Sequence, residues 1–118
     1  MTQEDKELLL KDLCARLPYG VKIQVPYEDG SGYFDEIVWE VNNDGPFHVN
    51  GWGIEYEYVK PYLFPLSSIT KKTLEELSAY IDIKNAYVAV EFFNSHHIDY
   101  RGLIEKGLAI DATGLGIY

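Results

Sequence analysis

Two adjacent histidines, His96 and His97, with Asp99 just beyond, are the first place in this sequence where metal or acid–base chemistry could sit. Zinc needs three or four side chains that converge on one point. On a helix, neighbouring residues point about 100° apart, so this pair does not converge as an i, i+4 pair would. The third histidine, His48, lies in an alternating segment. A small metal-dependent enzyme built from His48, His96 and His97 would need the fold to bring all three together. The plainer reading is a helix end, where polar or positive groups suit unpaired carbonyls. Cys14 could be a nucleophile only with a base beside it. It falls on a leucine stripe, where a free cysteine behaves as a small hydrophobe. Asp29-Gly30-Ser31-Gly32 and Gly114-Leu115-Gly116 are glycine-rich, but neither leads from a strand into a helix as a phosphate loop must. No catalytic set, cofactor site or metal site is expected, and the reading leans towards a protein that is not an enzyme.

Binding residues are easier to nominate. Tyr100 and Arg101 belong to types common at interfaces, although Asp99 as a helix cap and Arg101 as an ion-pair partner give them a structural alternative. The richest region runs from Tyr19 to Leu66. It holds eight acids against two bases, and ten of the 17 aromatic residues lie between Tyr27 and Phe64. Period-two alternation there aims Glu36, Glu40, Glu55 and Glu57 away from a core, with Tyr27, Tyr33 and Trp52 at the rim. Such a face suits a basic protein partner through complementary charge. A solvated acidic surface is the plain alternative.

The elements that must position these residues follow from pattern. Thr2 caps a first helix, with Asp5 three residues on. Leu10, Leu13, Cys14 and Leu17 mark its buried face, widened by Leu9, and Glu7–Lys11 and Asp12–Arg16 are i, i+4 pairs. Pro18 and Gly20 stop it. Four antiparallel strands in a meander are expected at about 21–27, 33–42, 46–50 and 53–59, separated by Asp-Gly and Asn-Gly turns. Val21, Ile23, Val25, Ile37, Trp39, Val41, Tyr56 and Tyr58 would share the buried face. The meander could curl into a small SH3-like barrel or stay open under the first helix. Pro61 and Pro65 forbid a helix and a central strand, so 60–66 reads as an extended segment leaving the sheet. A second helix, capped by Ser68 or Thr70, runs to about Ile81. Residues 86–98 read as helix, and Asp99 caps a short last helix ended by Gly107. Leu108 to Tyr118 reads as a weakly packed tail. The expected class is α+β, a single domain over 1–118, with two or three helices after the sheet.

Composition limits the partners. The 118 residues carry 10 Lys+Arg against 19 Asp+Glu, a formal net charge of −9. Direct nucleic-acid binding by phosphate neutralisation needs the opposite sign, whereas an acidic mimic of nucleic acid would fit it. One cysteine allows no disulfide within the chain. The polar, acidic start is unlike a secretory signal, and no apolar run approaches the ~20 residues of a membrane span. A cytoplasmic protein is expected.

Three blocks carry a resemblance: Asp12 to Val21 (DLCARLPYGV), Lys60 to Ser68 (KPYLFPLSS) and Asn94 to Ala112 (NSHHIDYRGLIEKGLAIDA). Together they cover about 38 of the 118 residues. They resemble a family of small uncharacterised proteins of gut anaerobic bacteria and their prophages. The resemblance implies a bacterial or phage origin, a cytoplasmic setting and a small α+β fold. It implies no activity or catalytic residue. The resulting expectation is an acidic, non-enzymatic protein that binds another macromolecule.

Overall fold

The computed structural model describes residues 2–27, 29–38, 40–42, 45–47, 59–69, 75 and 86–118; for 40–42, 45–47 and 86–89 the backbone alone is described. Helix α1 spans Gln3–Arg16. Its start is a reciprocal capping box: the Asp5 N–H donates to Thr2 Oγ1 at 3.0 Å, and the Thr2 N–H donates to Asp5 Oδ2 at 3.4 Å. These bonds satisfy donors that the first turn leaves without carbonyl partners. A 3₁₀ turn at Leu17–Tyr19, carrying Pro18, and Gly20 at φ +69° end the helix.

Strands β1 (Lys22–Pro26) and β2 (Tyr33–Ile37) form the expected antiparallel hairpin, with Gln24 opposite Asp35. The span expected to be one strand over 33–42 is divided into β2 and β3 (Glu40–Asn42), and β3 pairs with β4 (Gly45–Phe47) as a separate two-stranded sheet. The strand expected at 53–59 lies outside the described residues except for Val59, as do Trp39, Tyr56 and Tyr58.

The segment 60–66 does not leave the sheet. Strand β5 (Lys60–Pro65) lies at its centre, antiparallel to β1 and parallel to the two-residue strands β6 (Ile98–Asp99) and β7 (Ile110–Asp111). The prolines are tolerated because of their parity. Residues 61, 63 and 65 direct their backbone groups to one edge of the strand, and the missing N–H groups fall there. The other edge keeps its donor, and the Phe64 N–H reaches the His97 carbonyl at 2.8 Å. Leu63 supplies an acceptor on the proline edge, taking the Ala112 N–H at 2.8 Å. Among the described residues the sheet is therefore mixed and open in the order β2-β1-β5-β6, with β7 beside β5; the strand expected at 53–59, which would help close an SH3-like barrel, falls outside them apart from Val59.

Helix α2 occupies Ala86–Ser95, as the sequence suggests for 86–98. Of the helix expected from Ser68 or Thr70 to Ile81, Ser68, Ile69 and Glu75 are described: Leu66–Ser68 is a 3₁₀ turn, Ile69 is extended and Glu75 is helical. Residues 100–107 form a chain of turns rather than a last helix. Gly107 nevertheless ends it as a C-terminal glycine does, at φ +75°. The Leu108 N–H bonds to Leu103 O and the Gly107 N–H to Ile104 O, the two bonds of a Schellman ending.

The core gathers Leu9 and Leu13 of α1, Val21, Ile23 and Val25, then Val38, Val59, Leu63, Leu103, Leu108 and Ala109. Two expectations fail here. Helix α1 is turned by one residue, burying Leu9, Asp12, Leu13 and Arg16 while Cys14 is exposed and Leu10 and Leu17 are half-buried. In β2 the exposed residues are Tyr33, Asp35 and Ile37, so Ile37 faces solvent and Glu36 sits half-buried on the other side. Nor is the C-terminal segment a weakly packed tail: Leu108, Ala109 and Ala112 are buried.

Candidate functional site

Turning α1 by one residue puts a charged pair inside the protein. Asp12 and Arg16, one helical turn apart, are both fully buried. Asp12 accepts from Arg16 Nε at 2.9 Å and Nη2 at 3.2 Å, and from Arg101 Nη1 at 2.8 Å. Arg16 also donates to the carbonyls of Phe93 and Ile98. One side chain thus ties α1 to the end of α2 and the start of β6. A buried charge is tolerated only when paired and hydrogen-bonded, and here one carboxylate serves two guanidiniums. Tyr100 completes the cluster. Its ring lies 4.4 Å from the Arg101 guanidinium carbon, stacks on Phe93 at 5.5 Å between centroids, and its hydroxyl donates to Asn94 Oδ1 at 2.9 Å.

Tyr100 and Arg101, nominated to grip a partner, therefore hold the protein's own elements together. Asp99 does cap, but from a strand: its carboxylate accepts the N–H groups of Leu103 and Ile104, both at 2.9 Å.

The two histidines part company. His96 is exposed, with Nδ1 3.0 Å from the Phe92 carbonyl, and its ring stacks on Phe92. His97 takes the left-handed conformation at φ +57°, which ends the helix and turns its ring inward. The His97 ring is buried and stacks on Tyr118 at 3.9 Å with an interplanar angle of 12°; its Nδ1 has no hydrogen-bond partner. Burial first, then the nearby charges of Arg16, His96 and Lys22, pull its pKa down to about 4. Among the described residues no three His, Cys, Asp or Glu side chains come together to hold a metal ion. His48 lies outside them.

On the sheet face turned away from α1, a polar chain crosses three strands. Gln24 Nε2 donates to the Tyr62 hydroxyl at 3.2 Å, and that hydroxyl donates to Asp35 Oδ1. Burial and the Asp35 carboxylate push the Tyr62 phenol up to about 12. Beyond this chain two large side chains of β2 stand exposed on the same face, Tyr33 at 64 % and Ile37 at 44 %; Tyr27, also exposed, packs its ring on Phe34 on the other face. Of the acids expected on this face, Glu36 belongs to the other side. Glu40 is described only as backbone in β3, and Trp52, Glu55 and Glu57 lie outside the described residues. Ile37, expected in the core, is the surface residue that the sequence reading missed. The buried Asp12–Arg16 pair left a signal, since Leu9, Asp12, Leu13 and Arg16 are themselves spaced i, i+3, i+4, i+7. No protein-family model, curated protein or solved structure matches the chain.

Proposed function

We propose that this is a non-enzymatic acidic protein that binds a basic protein through the exposed side of β2. The observation that carries the reading is the exposure of Tyr33 and Ile37, two large side chains standing in water on one face of β2. Asp29 and Asp35 accompany them, in a chain of net charge −9. Aromatic anchors supply contact area at an interface, and the charge steers a cationic partner towards them. A cytoplasmic setting and a bacterial or prophage origin belong to it as well; no helix among the described residues is long and apolar enough to cross a membrane.

The test is a titration with a defined cationic probe, a lysine- and arginine-rich peptide carrying apolar residues at alternate positions, read by tyrosine fluorescence. Binding should weaken as salt rises and fall roughly tenfold or more in the Tyr33→Ser, Ile37→Thr double variant, as removal of an interface anchor does. Exposed substitutions of this kind usually change stability by less than about 0.5 kcal/mol. An unchanged affinity in the double variant would make the β2 surface a solvated face. Competition of duplex DNA with this protein for a DNA-binding protein, with no binding of the peptide, would instead favour an acidic nucleic-acid mimic.

A further inference from the structure

The C-terminal segment is fastened at a point that contains a titratable ring. The Tyr118 hydroxyl donates to the Tyr62 carbonyl at 2.8 Å and accepts the Lys22 N–H at 2.8 Å. Lys22 Nζ donates to the Ile117 carbonyl at 2.6 Å. The Tyr118 ring lies on the His97 imidazole and beside Phe64. The strap thus bridges β1, β5 and the turn after α2, and the imidazole is its floor. We propose that residues 113–118 form an acid-released strap, in which protonation of His97 from solvent separates its ring from Tyr118 and lifts the strap from β1 and β5.

The groups around the ring set the direction. Arg16 from α1, Lys22 from β1 and His96 from the adjoining turn act on it with cationic or potentially cationic charge, and Asp12 is already occupied by Arg16 and Arg101. Tyr118 covers it as a neutral phenol, its own pKa raised by burial to about 12. A new charge on His97 has no acceptor at Nδ1 while the strap is closed, and uncovering the ring opens that nitrogen to water. The closed ring has a pKa of about 4 against 6.5 when free. The open state therefore binds more protons. Opening relieves the burial but leaves Arg16 and His96 near the ring, so the open state titrates between about 4 and 6.5, and closure weakens as pH falls through that window.

Amide hydrogen exchange tests this in the intact protein. The Lys22 N–H, held by Tyr118, should lose protection severalfold, up to about twentyfold, between pH 7 and pH 5 after correction for the intrinsic exchange rate. The Val38 N–H, held by Val21 O, should not follow it. The variant His97→Asn keeps a residue that accepts the left-handed conformation and should abolish the pH slope at Lys22, whatever its absolute protection. A flat Lys22 profile, or a fall matched in proportion at Val38, would overturn the proposal. Should the variant not fold, NMR titration of the His97 ring in the native chain decides: a ring that titrates near 6.5 while the Lys22 N–H stays protected also overturns it.

Discussion

Asp12→Asn is the sharpest perturbation available to this fold, because it removes a charge and almost no volume. Asp12 is the acceptor for two Arg16 nitrogens and one of Arg101. The cluster holds one negative and two positive charges. Neutralising Asp12 leaves both guanidiniums without a counter-charge, and the Arg16 side chain has no exposure to water. Breaking a buried pair in this way costs about 3–5 kcal/mol, against a total stability of about 5–15 kcal/mol for a domain. Removing Arg101 is different. Asp12 keeps its partner on α1, the charges then balance, and the Arg101 side chain is already 15 % exposed. Arg101→Met should cost only about 1–2 kcal/mol, the lower part of the range for a hydrogen bond to a charged group, because this guanidinium is partly exposed. Urea denaturation separates the cases. With a slope of about 1.5 kcal/mol/M, Asp12→Asn should move the midpoint down by roughly 2–3 M and Arg101→Met by about 1 M. If Asp12→Asn stays within about 1 kcal/mol of the parent, or Arg101→Met matches it, the buried cluster does not hold α1 to β6 in the way described.

Three further outcomes are expected. Cys14 is exposed, so a thiol reagent should modify it in the native protein without prior unfolding; protection in buffer that disappears in urea would return it to the buried stripe. Asp99→Ala strips one buried and one part-buried backbone N–H of their acceptor and should cost about 1–3 kcal/mol by thermal melting, whereas a loss of a few tenths would mean that the 100–107 turns hold themselves. The Tyr62 and Tyr118 phenols are raised to about 12, so their contribution to stability is complete below pH 10 and is lost between 10 and 12. Ultraviolet titration should show two late phenolate steps, one absent from Tyr62→Phe and the other from Tyr118→Phe.

The local features of this protein are set by its sequence. Thr2 and Asp5 build a capping box, Pro18 and Gly20 end the first helix, the Asp29-Gly30 turn joins an antiparallel hairpin, and Gly107 adopts positive φ, because each depends on groups only a few residues apart. The α+β class and the helical state of 86–95 are also legible in the pattern of residues. What tertiary structure decides is which surface of each element is buried. The most apolar stripe of α1 is 10, 13, 14 and 17, but 9, 12, 13 and 16 are buried, because Arg101 and the carbonyls of Phe93 and Ile98 supply partners that lie 77 to 89 residues away. Strand β5 carries two prolines yet is central, since donors and acceptors from residues near 97 and 112 fit the edge positions that its prolines leave in use. Alternation in β2 says that two faces exist, and the register with β1 decides that Tyr33 and Ile37 meet water while Glu36 turns inward. His97 shows the same limit most clearly: a polar residue at a helix end becomes a buried ring only because Tyr118, far along the chain, folds back over it.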